Sequence, residues 1–470
     1  MSVRPIILLE FNEVPWRVID HCLTQDRYPH ISRFFASART YTSVSDDSGE
    51  LSPWVTWPSL HRGMNNAAHG VKMLGQEPST FSGVPIWQEF RKAGLPIGIC
   101  GSMQSWPAVD PGPGGFYVPD TFAKDERCYP TWIEPLQKFN LAQVQKNARV
   151  VNVKSLTKSE MVRVGMHLPR FGIRARTLSS LALQVAAERV TPARSARRPI
   201  FQALLFWDLF RKLYRPREPV AFATFFTNHV AGMMHRYWHS VFPQDYPVEF
   251  LGRLGPPETE HVKAFEFGLE ILDGMVSDVL EMAAVNPEII IVLATSMGQA
   301  AVQRDQHRGY DLTIPDIIRL LAALGERRDG IRPLMAMAPQ VVAEIEDGAT
   351  RVSVTHKLLS SRTESGVALF RCDEIGSTLS ISYMTPSQAD WDAGGFTFES
   401  DGTKHRVQWQ DAGIGRVETT PGTAYHVPEG VVAVFDPKTP CSEDSRTVMP
   451  LTRVKALLME LAGTQLANLR

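Results

Sequence analysis

Short, continuously apolar runs recur along the chain and alternate with stretches of helical pattern. The runs predicted as buried strands are PIILLE at 5–10, IGICGS at 97–102, VAFATFFTN at 220–228, EIIIVLATS at 288–296 and GVVAVFDP at 430–437. A helical pattern lies around 258–283, and LTRVKALLMELAG at 451–463 predicts a closing helix. Runs of this length and polarity are typical of strands covered on both faces, which requires crossover helices. The pattern therefore predicts an α/β fold with a mostly parallel sheet flanked by helices.

Two segments depart from this alternation and predict insertions into the core. Residues 145–217 hold 16 Lys and Arg against three Asp and Glu, which indicates a basic helical insertion. Its charges either face water or form a cap over a cleft that holds an anionic substrate or polymer. Residues 366–411 alternate hydrophobic and polar positions between turns, which predicts a small antiparallel β insertion. The core is thereby divided into three parts, 1–144, 218–365 and 412–470.

Charge and composition exclude several classes of partner. The formal net charge is −1 over 470 residues, which gives no general argument for a nucleic-acid partner. The longest apolar stretches, IFQALLFW and EIIIVLAT, fall well short of the roughly 20 residues that span a bilayer. The start MSVRPIILLEF lacks the features of a signal peptide. The five cysteines are widely spaced without a C-x-x-C pair, which disfavours a thiolate zinc site and a disulfide framework. We therefore expect a cytoplasmic protein.

Polar residues follow several of the predicted strands. Glu10 ends the first strand, Asn228 and His229 follow the third, and Ser296 follows the fourth. Because binding groups in open α/β sheets gather at the carboxyl ends of the strands, these side chains are expected to converge on one cleft. The alternative for Glu10 is an ion pair with a nearby arginine.

Thr56 lies in SPWVTWPSLHRG, between two tryptophans and just before a proline. The pattern predicts a helix that starts near Trp57 or Pro58, so Thr56 is a candidate N-cap. It is equally a candidate nucleophile, because the free N–H groups of a helix start favour an anion bound at its hydroxyl. The two roles are compatible.

Two stretches of the chain, WVTWPSLHRGMNNAAHGV and GTAYHVPEGVVAVFDP, resemble the alkaline phosphatase superfamily in its type I phosphodiesterase and nucleotide pyrophosphatase branch. The resemblance covers the sheet elements and leaves out the two insertions. In that family two zinc ions activate a Thr or Ser nucleophile and stabilise an in-line displacement at phosphorus. The resemblance implies an alkaline-phosphatase-like fold, with Thr56 as the nucleophile and His426 as the late metal-binding histidine.

The chain departs from the family at several metal-ligand positions. The family's first aspartate is matched by Glu10, and its Asp-x-x-x-His pair reads Ala231 to His235. Its Asp-His pair before a glycine reads Ser296–Met297. Serine is a weak neutral ligand and a thioether is a soft one, so much of the negative charge that holds two divalent cations is lost. A full dinuclear zinc site is not expected, which leaves one divalent ion (Zn, Mn, Mg or Ca) or none.

The site residues that these arguments predict fall into three groups. Those expected to be catalytic are Thr56 and His235; those expected to bind metal are Glu10, Asn228, His229 and His426; those expected to bind substrate are Gln76, Arg62, Ser296 and Gln299. Each has a structural alternative. The histidines can be satisfied core or loop residues, the glutamines can stabilise turns, and the arginine can be an ordinary surface residue.

The function that the sequence predicts is that of a hydrolase or transferase acting on a phosphate or sulfate ester, similar to a phosphodiesterase or nucleotide pyrophosphatase. The expected partner is an anionic small molecule or a glycan-linked ester, including nucleotide-linked ones, and a homo-oligomer is left open. The alternative is a catalytically inactive superfamily member that binds an anionic ligand or a protein partner. Intact metal-binding carboxylates favour the first function, and their loss favours the second.

Overall fold

The computed structural model describes residues 3–147, 165, 168–254, 258–302, 310–336, 339–418, 422–441 and 445–463. The strands are β1 (Ile6–Phe11), β2 (Arg39–Val44), β3 (Ile97–Cys100), β4 (Phe116–Val118), β5 (Phe222–Thr227), β6 (Ile290–Ala294), β7 (Gly298–Ala301), β8 (Tyr310–Thr313), β9 (Ile331–Leu334), β10 (Gln340–Ile345), β11 (Phe370–Ile375), β12 (Thr378–Tyr383), β13 (Gly395–Ser400), β14 (Thr403–Gln408), β15 (Gly415–Glu418), β16 (Ala424–Val427), β17 (Glu429–Phe435) and β18 (Thr447–Pro450).

The helices alternate with these strands along the chain. They are α1 (Trp16–Leu23), α2 (Pro29–Phe35), α3 (Pro53–Arg62), α4 (Asn66–His69), α5 (Ile86–Lys92), α6 (Glu134–Asn147), α7 (Ala175–Val190), α8 (Arg198–Leu213), α9 (Ala231–Val241), α10 (Val248–Leu254), α11 (Thr259–Val285), α12 (Ile317–Ala323), α13 (Gly348–Ser360), α14 (Gln388–Asp392) and α15 (Arg453–Ala462). No helix in the described ranges is both long enough and apolar enough to span a membrane.

The main sheet has eight strands in the order β18-β2-β17-β6-β1-β5-β3-β4. Every neighbouring pair is parallel except the two that β17 makes with β2 and β6. In the central strand β1, Ile6 and Leu8 face one hydrophobic core while Ile7 and Leu9 face another. Both faces are covered, which is why the strand reads as an unbroken apolar run. The prediction of a mostly parallel sheet flanked by helices is confirmed.

Helix α3 begins earlier than the sequence pattern predicts. Pro53 is its first residue and Ser52 its N-cap, so the predicted start near Trp57 or Pro58 is wrong. Proline suits the first helical turn, where a backbone N–H has no partner within the helix. The Thr56 N–H donates to the Ser52 carbonyl at 3.0 Å. Thr56 therefore lies one turn inside the helix and is not its cap.

The basic segment is helical where it is described, in α7 and α8, and residues 148–164 and 166–167 of it lie outside the described residues. Several of its basic side chains bind carboxylates of the core helix α11. Asp278 lies 3.1 Å from Arg174 Nη1 and 3.0 Å from Arg211 Nε, and it accepts a hydrogen bond from Trp207 Nε1 at 2.7 Å. These arginines attach the insertion to the core.

Asp278→Asn is expected to lower the free energy of unfolding by about 2–4 kcal/mol, because two arginines would then face a neutral amide in a largely buried place. Urea denaturation followed by circular dichroism measures the loss. The matched control is Asp125→Asn, whose partner Arg127 is 72% exposed, so its loss should stay below about 1 kcal/mol. Equal losses in the two variants would show that the Asp278 cluster does not hold the insertion in place.

A separate antiparallel body lies between β7 and β16. Its four-stranded sheet has the order β11-β12-β10-β9, and it has its own core around Leu321, Leu379 and Phe396. The predicted antiparallel character of 366–411 is confirmed, although the sheet already begins with β9. The chain enters this body after β7 and returns in β16, and these two strands pair so that Gln299 lies opposite His426. This pairing positions part of the site.

Candidate metal centre

Three side chains that bind metals in other proteins meet beyond the carboxyl end of β1. The Glu13 Oε2 atom lies 3.1 Å from His235 Nε2 and 3.3 Å from His426 Nε2. The three ligand atoms all lie within 4.8 Å of one another. Glu13 is 2% exposed, whereas the two histidines are partly open to solvent. One carboxylate and two imidazoles in this arrangement can hold one divalent cation and leave coordination positions open.

The three side chains come from three separate elements. Glu13 follows β1 in a turn where its φ is +61°, a left-handed conformation that is uncommon outside glycine. His235 lies in α9, the helix that follows β5, and His426 lies on β16. Because β1 and β5 are parallel neighbours, the turn after β1 and the start of α9 lie at the same edge of the sheet.

Backbone carbonyls fix the orientation of both histidine rings. His235 Nδ1 lies 2.9 Å from the Ala424 carbonyl oxygen, and His426 Nδ1 lies 2.7 Å from that of Leu51. A carbonyl only accepts hydrogen bonds, so each Nδ1 carries a proton and donates it. Each Nε2 therefore either offers a lone pair to a cation or, when protonated, donates to Glu13. This carbonyl support is typical of metal-binding histidines.

The charge of Glu13 suits a cation. Burial by itself raises the pKa of Glu13, but hydrogen bonds from His235 and His426 outweigh it and hold that pKa well below its ordinary value of 4.5. Burial lowers the pKa of His426, but the hydrogen bond to Glu13 outweighs it and raises that pKa above 6.5. Glu13 is therefore ionised at neutral pH, as a metal ligand must be.

Asn12 holds the other oxygen of the carboxylate. Its Nδ2 donates to Glu13 Oε1 at 2.7 Å and to Asn228 Oδ1 at 2.6 Å. Its Oδ1 accepts a hydrogen bond from Trp57 Nε1 at 2.8 Å. Because an indole N–H only donates, this contact fixes the orientation of the Asn12 amide. Trp57 lies on α3, so this contact also joins the helix of Thr56 to the turn of Glu13.

Thr56 is fully buried, and its hydroxyl contacts another hydroxyl. The Oγ1 atom lies 2.8 Å from Ser296 Oγ and 3.3 Å from the Ser52 carbonyl oxygen. Ser296, predicted to bind substrate, thus contacts the candidate nucleophile directly. The carbonyl of Leu51, immediately before this helix, is the one that holds His426. The N-terminus of α3 is therefore attached to the cluster.

Glu10 lies away from the cluster. It is fully buried, and its Oε1 is 2.6 Å from Nε2 of the buried His61 on α3. In β1 its side chain shares a face with Ile6 and Leu8, because side chains alternate along a strand. Its partner is thus a histidine, in place of the arginine considered as the alternative to a metal.

Asn228 and His229, the other predicted ligands from the end of β5, do not join the cluster. The His229 Nδ1 lies 2.6 Å from Thr227 Oγ1, and its Nε2 lies 3.1 Å from the Gly268 carbonyl oxygen. Burial lowers the pKa of His229 to about 4, so its ring is neutral and both nitrogens are engaged. Asn228 is exposed, and its Oδ1 accepts a hydrogen bond from Asn12, the residue that also donates to Glu13.

Arg62 and Gln76, predicted to bind substrate, stabilise the loop that follows α3. Arg62 Nη1 donates to the Ser82 carbonyl at 3.2 Å. Gln76 Nε2 donates to the Gly70 carbonyl at 2.8 Å, and its Oε1 accepts from the Lys72 N–H at 2.9 Å. Gln299, in contrast, is part of the centre, because its Nε2 donates to Glu13 Oε2.

Sequence reasoning missed Glu13. The stretch EFNEVP carries two glutamates three residues apart, and the first of them suited the end of the predicted strand. Because β1 continues to Phe11, Glu10 remains within the strand and Glu13 occupies the turn beyond it. The signal in the sequence that could have identified Glu13 is an acidic residue in the turn just before Pro15.

The residues fit one divalent cation and do not fit a second. Where the resemblance requires an Asp-His pair, Ser296 contacts Thr56 through its hydroxyl and Met297 is fully buried. Within the part of the chain that the structure describes, Glu13, His235 and His426 form the one group of three or more potential ligands.

Comparison with known proteins gives a structural likeness. No protein-family model and no curated protein matches the chain. It is similar to inactive murine ectonucleotide pyrophosphatase/phosphodiesterase 5 in complex with AMP (8% identity, TM-score 0.43, 98% of this chain and 95% of that chain). It is similar to phosphonoacetate hydrolase from Sinorhizobium meliloti 1021 (12%, 0.40, 98% and 96%) and to a variant of alkaline phosphatase PafA (12%, 0.46, 98% and 96%). At these identities and TM-scores the likeness carries no argument about activity.

Proposed function

We propose that the chain is a hydrolase of the alkaline phosphatase superfamily that cleaves a phosphate or sulfate ester with one divalent cation. The observation that carries the proposal is the convergence of Glu13 Oε2, His235 Nε2 and His426 Nε2, with both histidine Nδ1 atoms tied to carbonyls. Two imidazoles favour zinc over magnesium and calcium, which prefer oxygen ligands.

A cation bound at this centre would polarise the ester and lower the pKa of an oxygen that it coordinates. The residues of the centre supply the negative charge and the orientation of the ligands. Glu13 contributes one negative charge, so a divalent cation leaves one net positive charge for an anionic ester. His235 and His426 are held in the orientation that ligation needs by the hydrogen bonds from their Nδ1 atoms.

Thr56 is the attacking group in this proposal. Its hydroxyl is unreactive at neutral pH until its proton is taken or its pKa is lowered. Its contacts, Ser296 Oγ and the Ser52 carbonyl, orient the hydroxyl but are not bases. In this proposal a cation held by Glu13, His235 and His426 would supply the activation by lowering the pKa of the hydroxyl.

The test is metal analysis followed by an activity screen. The purified protein is expected to carry zinc or manganese and to turn over at least one of three chromogenic classes: phosphomonoesters, phosphodiesters and sulfate esters. A chelator should abolish turnover, and adding the ion back should restore it. Turnover that a strong chelator leaves unchanged would contradict the proposal.

A second candidate function is supported by the burial of Thr56, which is fully covered and engaged by Ser296. It is that of an inactive superfamily member that binds an anionic ligand. Metal binding and phosphate or nucleotide binding without turnover of any ester class would favour this function over catalysis.

A further inference from the structure

Asn12 lies between a candidate metal ligand and the helix that carries Thr56. The residue is 2% exposed. Its Nδ2 donates to Glu13 Oε1 at 2.7 Å and to Asn228 Oδ1 at 2.6 Å, so both amide protons are used. Its Oδ1 accepts from Trp57 Nε1 at 2.8 Å. An indole N–H only donates and an ionised carboxylate only accepts, so these contacts agree on one orientation of the amide.

The hydrogen bond from Asn12 orients the carboxylate of Glu13. Asn12 engages the Oε1 atom, and the Oε2 atom lies 3.1 Å from His235 Nε2 and 3.3 Å from His426 Nε2. Carboxylates that ligate metals are themselves hydrogen-bonded, and losing such a supporting group weakens metal affinity or activity about 10- to 100-fold. Asn12 is therefore placed where a supporting group of the centre is needed.

The same amide is attached to α3 beside Thr56. Trp57 follows Thr56 in the chain, and both residues are fully buried. Helix α3 has another attachment to the centre at its N-terminus, where the Leu51 carbonyl accepts from His426 Nδ1 at 2.7 Å. The contact between Trp57 and Asn12 lies further along the helix, and Thr56 lies between the two attachments. Two attachments fix both the position and the rotation of a helix, and a misplacement of about 1 Å can cost an enzyme about 100-fold in rate.

We propose that Asn12 is a positioning residue that fixes the metal ligand Glu13 and the helix of Thr56 relative to each other. The inference rests on the metal centre of the proposed function, but its main test measures zinc affinity and needs no turnover. A change on α3 that breaks the contact with Asn12 is then felt at the metal centre, and it is felt there through Asn12.

A double-mutant cycle tests this connection. Asn12→Leu replaces the amide by an apolar group of similar size and is expected to weaken zinc affinity about 10- to 100-fold. Trp57→Phe removes the indole N–H but keeps an aromatic ring, and it should weaken zinc affinity about 2- to 10-fold, the worth of one hydrogen bond. In the Asn12→Leu background, Trp57→Phe should have no further effect, because its partner is already gone.

Competition with a chromophoric chelator measures zinc affinity in the unaltered chain, the two single variants and the double variant. If Trp57→Phe weakens zinc affinity by the same factor in both backgrounds, Trp57 does not act through Asn12 and the inference is overturned. Circular dichroism verifies that each variant is folded. If Asn12→Leu does not fold, Asn12→Ala takes its place in the cycle, because it removes the same hydrogen bonds without adding bulk.

Two matched controls make the same substitutions at other buried positions. Asn140→Leu replaces a buried asparagine whose Nδ2 donates to Gln137 Oε1 at 3.2 Å. Trp207→Phe removes an indole hydrogen bond of 2.7 Å to Asp278. Both controls should be less stable and yet keep the zinc affinity of the unaltered chain. Losses of affinity in the controls as large as those in the cycle would show that a general loss of stability is responsible, which overturns the inference.

Kinetics give a second readout on an ester that the chain hydrolyses. With zinc saturating, Trp57→Phe should lower kcat by about 10-fold or more and leave KM little changed, because the helix of Thr56 has lost one attachment. An unchanged kcat would overturn the link to Thr56.

The outcomes distinguish this inference from the proposed function. If the unaltered chain binds zinc and hydrolyses no ester, the proposed function fails and the affinity cycle still decides the inference. If the chain hydrolyses an ester with zinc and folded Asn12→Leu keeps full zinc affinity, the inference alone fails. A chain that binds no divalent cation would overturn both.

Discussion

Glu13→Gln is expected to lose divalent-cation affinity by more than about 100-fold, since losing even a supporting group around a metal costs about 10- to 100-fold. Glutamine has nearly the same shape, but it removes the negative charge that pairs with both histidines. The remaining imidazoles then face a cation without a carboxylate. Ester turnover should fall with metal content. Chelator competition and metal analysis measure the first effect, and the chromogenic assay measures the second.

Glu10→Gln is the matched control. Glu10 is the glutamate that the resemblance favoured, but it remains within β1, where it contacts the buried His61, and it lies outside the cluster. The variant should be less stable, because it disturbs a buried pair, and yet bind the cation with nearly unchanged affinity. The reverse result, with metal binding lost in Glu10→Gln and kept in Glu13→Gln, would show that the wrong carboxylate has been assigned.

Thr56→Ala is expected to keep its metal and its fold while turnover drops by about 10³-fold or more, because the attacking oxygen is gone. The lost hydroxyl contacts cost about 1 kcal/mol of stability, and alanine restores part of this through its helix propensity. Thr56→Ser should retain part of the activity. Steady-state kinetics on the ester that the screen identifies, with metal content measured in parallel, test this expectation.

Ser296→Ala provides the comparison for Thr56. It removes the hydroxyl that touches Thr56 Oγ1 but leaves the attacking oxygen in place, so its loss of turnover should be much smaller. Full activity in Thr56→Ala would reduce the threonine to a structural residue. Catalysis would then have to use water as the attacking group.

The fold could be predicted because its main signal is local. Strands covered on both faces, such as β1 and β6, read as unbroken apolar runs, and the sequence shows these directly. The start of α3 was placed too late because Pro58 lies within the helix, where proline is normally excluded. Only the tertiary contacts of the helix show that it is tolerated there.

Only part of the candidate site could be predicted, because its residues come from distant parts of the chain. His235 and His426 fit a known pattern, and the structure brings them together. The sequence also showed that Ala231 supplies no carboxylate to accompany them. Glu13 accompanies them instead, through contacts between distant parts of the chain that its position before Pro15 does not by itself specify. Whether the Glu10 side chain lies within β1 or in the turn after it depends on the residue at which the strand ends. Because β1 continues to Phe11, Glu10 remains within the strand.

The candidate metal centre joins residues that are far apart in the amino-acid sequence. Glu13 follows the first strand, His235 lies near the middle of the chain, and His426 precedes β17. A cation held by all three would act as a cross-link that closes very long loops, which restricts the unfolded chain far more than the folded one. Incomplete or truncated chains that lack β16 cannot assemble this cross-link. Metal content would therefore report how much of a preparation has folded to completion.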